Sequence, residues 1–174
     1  GSFTTVYNPT RNKVYLGGFE PMVVDCATDS VLSVIPAWGF WYASCYNDIE
    51  DKVYFAEAST FPDPYRLMVV DGASDSILAV IDNPGGGEDL WNLCFNRMNN
   101  KVYVSCENSA RVAVVDGPSD SVIGAIGVQS TPQEMVWNPV QNRVYVANYY
   151  SSSVSVIADS LIPGVAEDKA EGGR

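Results

Sequence analysis

The chain contains no histidine in its 174 residues. Ser-His-Asp and Cys-His nucleophilic mechanisms are therefore excluded within it. Cations are scarce: 10 Lys and Arg stand against 21 Asp and Glu, for a formal charge of −11. Such a chain lacks the clustered Lys and Arg that grip nucleic-acid phosphates or an anionic membrane surface. No apolar run approaches the ~18 residues of a membrane-spanning helix. No signal peptide is present, but Gly1-Ser2 has the form of an expression-vector remnant, so this absence assigns no compartment. The four cysteines, Cys26, Cys45, Cys94 and Cys106, make no CxxC pair, and with no histidine they complete no zinc set. No segment carries a convincing helical pattern.

What is present is apolar and repetitive. Hydrophobic residues make up 47% of the chain and charged residues 18%, a composition that supports a core. One motif occurs four times: Tyr7-Asn8-Pro9-Thr10-Arg11-Asn12-Lys13-Val14-Tyr15, Tyr46-Asn47-Asp48-Ile49-Glu50-Asp51-Lys52-Val53-Tyr54, Phe95-Asn96-Arg97-Met98-Asn99-Asn100-Lys101-Val102-Tyr103 and Trp137-Asn138-Pro139-Val140-Gln141-Asn142-Arg143-Val144-Tyr145. Its form is aromatic-Asn, three variable residues, Asn or Asp, a cation, then Val-Tyr. A second motif follows each copy: Val23-Val24-Asp25, Val69-Val70-Asp71, Val114-Val115-Asp116 and, without the acid, Val156-Ile157-Ala158. A third begins at Asp29-Ser30, Asp75-Ser76 and Asp120-Ser121 and runs into an apolar stretch.

Each unit reads as four short strands. Val, Ile and Tyr segments of strand length alternate with Asn, Asp, Pro and Gly turn chemistry. A lone four-stranded sheet leaves apolar faces bare, and repeated sheets bury them against one another. Four strands in a unit of roughly 40 residues favour a β-propeller over a flat array or solenoid. The expectation is an all-β chain of four blades, about 3–36, 37–82, 88–127 and 131–165, followed by a disordered tail or linker at 166–174. The fourth blade is irregular, because Pro163 breaks its last strand.

Arg143-Val144-Tyr145-Val146-Ala147-Asn148, with Asn138-Pro139 before it and Val154-Ser155-Val156-Ile157 after it, resembles the YVTN-type β-propeller repeat. Pro132 fits the same pattern, and the resemblance covers about residues 3–158. It implies the propeller fold and a secreted or cell-surface protein. It is also similar to propellers with lactonase or quinoprotein roles, so it implies function loosely. That family usually builds larger rings than four blades. The four units therefore read as an array fragment or as half of a ring, which a second copy would close into an eight-bladed homodimer.

In a propeller, the loops from strand four to the next strand one, and from strand two to strand three, share one face. Here those loops are the least repetitive segments and hold aromatics beside carboxylates. Phe19, Glu20, Trp38, Phe40, Trp41, Phe61, Trp91, Tyr149 and Tyr150 form the candidate rim, suited to a protein, peptide, glycan or cationic ligand. Trp41 and Trp91 occupy equivalent places before strand one, where packing between blades or plugging the channel is favoured over binding. Glu20, Glu57, Glu88 and Glu107 are the carboxylates that could approach the central channel and take Ca²⁺. Chance acidity is the competing reading. Gly85-Gly86-Gly87 lacks the Lys-Ser/Thr of a phosphate loop.

Asp25, Asp71 and Asp116 recur in every full unit, as turn-capping residues do, and Asp29, Asp75 and Asp120 read the same way. Cys45 and Cys94 take the place of Val6 and Val136 and are expected to be buried. A Cys26–Cys106 bridge is not expected, because their loops lie on opposite faces. The leading functional expectation is a non-enzymatic interaction scaffold with no obligate cofactor. Its alternatives are a metal-dependent lactonase-like hydrolase using the channel carboxylates, and a purely architectural fragment.

Overall fold

The computed structural model describes residues 2–57, 65–86 and 89–159. Among the described residues the chain is all-β apart from one 3-10 turn at Glu107–Ser109. Four antiparallel sheets follow one another along the sequence. The first holds β1 (Ser2–Asn8), β2 (Lys13–Gly18), β3 (Met22–Asp25) and β4 (Ser30–Val34). The second holds β5 (Trp41–Asn47), β6 (Lys52–Glu57), β7 (Arg66–Asp71) and β8 (Ile77–Asp82). The third holds β9 (Leu90–Asn96), β10 (Lys101–Cys106), β11 (Arg111–Asp116) and β12 (Ser121–Gly127). The fourth holds β13 (Pro132–Asn138), β14 (Arg143–Asn148) and β15 (Ser153–Ala158) among the described residues. Each is a propeller-type blade, and Ser2, set apart in the sequence reading, pairs with Gly18 inside the first.

The first strands of successive blades pack together, β1 on β5, β5 on β9 and β9 on β13. The fourth strands β4 and β12 lie largely exposed at the periphery. Sheets that converge at one edge and splay at the other form an arc of blades around an axis. Among the described residues no comparable packing joins the first blade to the fourth.

Burial follows from this arrangement. In the second blade, every residue of β6 is buried, because both faces of that sheet have a neighbour. One face (Val53, Phe55, Met68, Val70) packs on Tyr15 and Val23 of the first blade. The other (Cys45, Tyr54, Leu67, Val69) packs on Val102, Val104 and Val115 of the third. The third blade meets the fourth through Cys94, Tyr103 and Val114 against Val144, Val146 and Ile157. The end blades bury one face each: Tyr15 and Val23 are fully covered, whereas Val14, Leu16, Met22 and Val24 on the opposite face are not.

Polar residues repeat the same bonds at each boundary. The motif asparagine accepts backbone N–H groups of its own turn, as Asn47 does from Ile49 and Glu50. Its amide then donates to the next blade: Asn8 to Asp51, Asn47 to Asn100 and Asn96 to Asn142, at 2.8, 2.8 and 2.9 Å. Asp51 is drawn three ways. Burial opposes its ionisation, but hydrogen bonds from Arg11, Asn8 and Tyr46 outweigh that and hold its carboxyl below the usual range.

Asp25, Asp71 and Asp116 cap their turns as expected, accepting from Ala27, from Ala73 and Ser74, and from Ser119. Asp75 and Asp120 do something else. Asp75 reaches back to Lys13 Nζ and the Tyr15 hydroxyl of the preceding blade. Asp120 takes Lys52 Nζ at 2.8 Å and the Tyr54 hydroxyl at 2.7 Å. Their recurrence marks a blade-to-blade contact and not a turn cap. The fourth blade has no aspartate at that place, and Asp159 substitutes by accepting from Lys101 Nζ at 2.6 Å. The turn Gly72 lies against this junction; a Cβ there would sit 2.7 Å from Asn8 Nδ2 and from the Asp51 carbonyl.

All four cysteines are free, with Cys45, Cys94 and Cys106 buried and Cys26 half-buried. Burial pushes the Cys94 and Cys106 thiols up to about 11.

Candidate functional site

Every first strand carries a bulge at the same place. Pairing skips Phe3 in β1, Tyr42 in β5, Trp91 and Asn92 in β9, and Gln133 and Glu134 in β13. Counted back from the motif asparagine, Phe3, Tyr42, Trp91 and Gln133 are one structural position. A bulge re-aims its extra residue out of the pleat, and all three aromatics there are exposed, by 47%, 44% and 45%.

This register separates two tryptophans read as equivalent from the sequence. Trp41 pairs with Glu57, as Leu90 pairs with Cys106, so the counterpart of Trp41 is Leu90. Trp91 matches Tyr42 instead. One residue of offset in a strand reverses the face. Trp41 is accordingly buried against Phe55, its indole N–H donates to the Ala37 carbonyl, and it belongs to the core and not to the rim.

Five rings from the first two blades form one surface cluster, four of them exposed and Phe40 half-buried between them. Phe3 stacks on Tyr42 with centroids 4.5 Å apart. Phe19 meets Trp38 and Phe40 edge-on, each at 5.4 Å. Phe40 links the two halves, 6.3 Å from Phe3 and 6.4 Å from Tyr42. Phe19, from the loop after β2, and Trp38 and Phe40, from the loop into β5, thus share one rim. Trp38 is 64% exposed. Glu20 follows Phe19 and is exposed. Contiguous exposed aromatics of this kind mark interaction surfaces.

The cluster stands on a fixed base. The Gly39 N–H donates to the Phe19 carbonyl at 3.2 Å, joining the two loops. Arg66 Nη2 donates to the Trp38 carbonyl at 3.2 Å and to Glu57 Oε1 at 2.8 Å, and its guanidinium lies over the Trp41 ring at 5.8 Å. Gly39 is required because a Cβ would run into the Glu57 carboxylate.

The remaining candidates stand apart from this cluster. Trp91 has no ring partner among the described residues. Tyr149 and Tyr150 pack on each other at 5.3 Å on the fourth blade, exposed by 65% and 76%. Phe61 and Glu88 lie outside the described residues. Of the channel carboxylates, Glu57 is buried and ion-paired with Arg66, Glu107 accepts from Gln133, and Glu20 is exposed. Among the described residues no three His, Cys, Asp or Glu side chains gather as a metal site. No helix among them is long and apolar enough to cross a membrane.

Sequence reasoning placed Phe19, Trp38 and Phe40 on one rim but left out Phe3. The signal was available: an aromatic stands five residues before the motif asparagine in three of the four units.

No protein-family model matches this chain, and no curated protein matches it. Solved structures do. One, described as Kuenenia stuttgartiensis Hydrazine Synthase, is 18% identical with a TM-score of 0.77, over 91% of this chain and 46% of that one. Another, described as Structure of U3-55K, is 12% identical with a TM-score of 0.74, over 91% of this chain and 49% of that one. The chain thus spans about half the length of each. At these identities the likeness shows the fold alone.

Proposed function

We propose that this chain is a non-enzymatic propeller module that acts as an interaction scaffold, with the rim rings Phe3, Phe19, Trp38, Phe40 and Tyr42 as its ligand-contacting surface. The observation that carries this reading is the five-ring surface cluster, four of its rings exposed, held by hydrogen bonds from Gly39 and Arg66. Four large apolar rings facing solvent, with Phe40 half-covered among them, stand outside the buried clusters of the first two blades and mark a surface available for contact. Rigid aromatic faces beside Glu20 suit a peptide, a glycan ring or a cationic group on a protein partner. The charge of −11 argues against nucleic acid. The YVTN-like repeat supports a secreted or cell-surface setting. The module assembles with a second copy to close its ring, which the uncovered end faces support.

The test is binding of the wild-type chain and a Phe19→Ala/Trp38→Ala variant to arrayed glycans and to arrayed peptides of mixed charge. Both side chains are exposed, so the variant should keep its melting temperature within a few degrees. Wild-type ligands that weaken by about tenfold or more support the site. Ligands bound equally well by both forms, or no ligand on either array, would overturn it.

A further inference from the structure

At each internal boundary a Lys-Val-Tyr segment of one blade offers an ammonium and a hydroxyl to an aspartate of the next. Lys13 and Tyr15 meet Asp75, Lys52 and Tyr54 meet Asp120, and Lys101 meets Asp159. The paired side chains are largely covered: 13% and 12% exposed for Lys13 and Asp75, 11% and 13% for Lys52 and Asp120.

The two ends of the arc carry one half of this clasp each. Arg143 and Tyr145 stand in the fourth blade where Lys52 and Tyr54 stand in the second. Arg143 is exposed with no acceptor among the described residues, and the Tyr145 hydroxyl bonds only its own turn, at Gln141. Asp29 stands in the first blade where Asp75 and Asp120 stand in the next two. It has the same left-handed backbone, with φ of 54° beside 60° and 53°, and it too is exposed with no donor among the described residues. Apolar positions follow the same division. Val136 and Val154 are open on the fourth blade, 62% and 45% exposed, where Cys45 and Leu67 are buried in the second. Val14, Leu16, Met22 and Val24 are only half-covered on the first blade, where Val53, Phe55, Met68 and Val70 are buried in the second.

We propose that a second copy of this chain seats its first blade on the fourth blade of the other, with Asp29 accepting from Arg143 and Tyr145, so that both ends of the two arcs close by the same clasp. This rests on the ring-closing part of the proposed function and adds its orientation and its contacts. Opposite charges on opposite ends select a head-to-tail approach, because first blade against first blade brings Asp29 towards Asp29. Two copies related by a two-fold axis then satisfy both ends at once. The open rim at the fourth blade, with Tyr149 and Tyr150, is carried alongside Phe3 of the partner copy.

The test uses charge reversal with light scattering and sedimentation equilibrium on the full chain. Wild type should run at twice the chain mass. Asp29→Arg alone, or Arg143→Asp alone, puts like charges at both junctions and should weaken association by about tenfold or more. Both residues are exposed, so circular dichroism should be unchanged. Mixing the two variants in equal amounts should restore the dimer, because each junction of the mixed pair again joins Arg to Asp. A wild-type dimer that neither variant weakens, or variants that mixing fails to rescue, would overturn the clasp and leave ring closure standing. A wild-type monomer at every concentration would overturn ring closure itself, and the clasp with it.

Discussion

The Tyr54 hydroxyl donates to Asp120 across the boundary between the second and third blades at 2.7 Å. Lys52 Nζ lies 2.8 Å from the same carboxylate. The arrangement ties a fully buried ring to a largely covered ion pair in the middle of the arc.

Removing Asp120 therefore leaves a buried ammonium without its counter-charge. Asp120→Ala should cost about 3 kcal/mol in urea unfolding, in the range expected for breaking a covered ion pair by one partner. Tyr54→Phe keeps the ring and loses one hydrogen bond, and should cost about 1 kcal/mol. The order of the two midpoints is the check. Equal losses would mean that the aspartate serves the hydroxyl alone.

The same junctions set the limits of pH stability. Burial, and then hydrogen bonds to Asp75, Asp120 and Asp159, push the Tyr15, Tyr54 and Tyr103 hydroxyls well above the ordinary tyrosine range. A group whose folded value is raised contributes stability that is whole below its unfolded pKa, near 10, and is lost as pH rises past it. The protein should unfold cooperatively above about pH 10. Absorbance near 295 nm should then show these three of the 10 tyrosines ionising together with the loss of circular dichroism. On the acid side, Asp51 and Asp71 are held below the usual range, Asp71 by Ser74. Their contribution is whole above the unfolded pKa, about 4, and is lost as pH falls through the folded values. Asp51→Asn should flatten that acid slope. Three tyrosines titrating freely at pH 10 in folded protein would contradict the alkaline half.

The blades were legible in the sequence because each short strand carries its own turn signal, and the four copies of aromatic-Asn and Val-Tyr repeat in one order. The buried cysteines followed from the same alignment, since Cys45 and Cys94 stand where other units have valine. The asparagine and aspartate roles were only half legible. Asp71 and Asp75 both recur, yet one bonds its own turn and the other a neighbouring blade, and a one-dimensional repeat does not say which contacts lie across a boundary. The equivalence of Trp41 and Trp91 fails for a related reason. A bulge shifts facing by one residue, and nothing in Trp41-Tyr42 itself tells which ring points inward. The bulge shows only when all four units are aligned on the asparagine.

The rigid base of the rim makes a separate expectation. Glu57 is buried and its carboxylate is held by Arg66, which also holds the Trp38 carbonyl. Arg66→Ala should thus act twice. It strands a buried carboxylate, at a cost of about 3 kcal/mol, and it frees the loop that carries Trp38 and Phe40. Arg66→Ala/Glu57→Gln removes the stranded charge and should recover about half of the lost stability, but it leaves the Trp38 carbonyl without the guanidinium. The loop should therefore stay loose in both variants. Amide hydrogen exchange at residues 37–40 reads this directly: faster exchange in the single and double variants alike, with stability differing between them, is the expected pattern. Wild-type exchange rates in the double variant would show that Arg66 supports the rim only through overall stability.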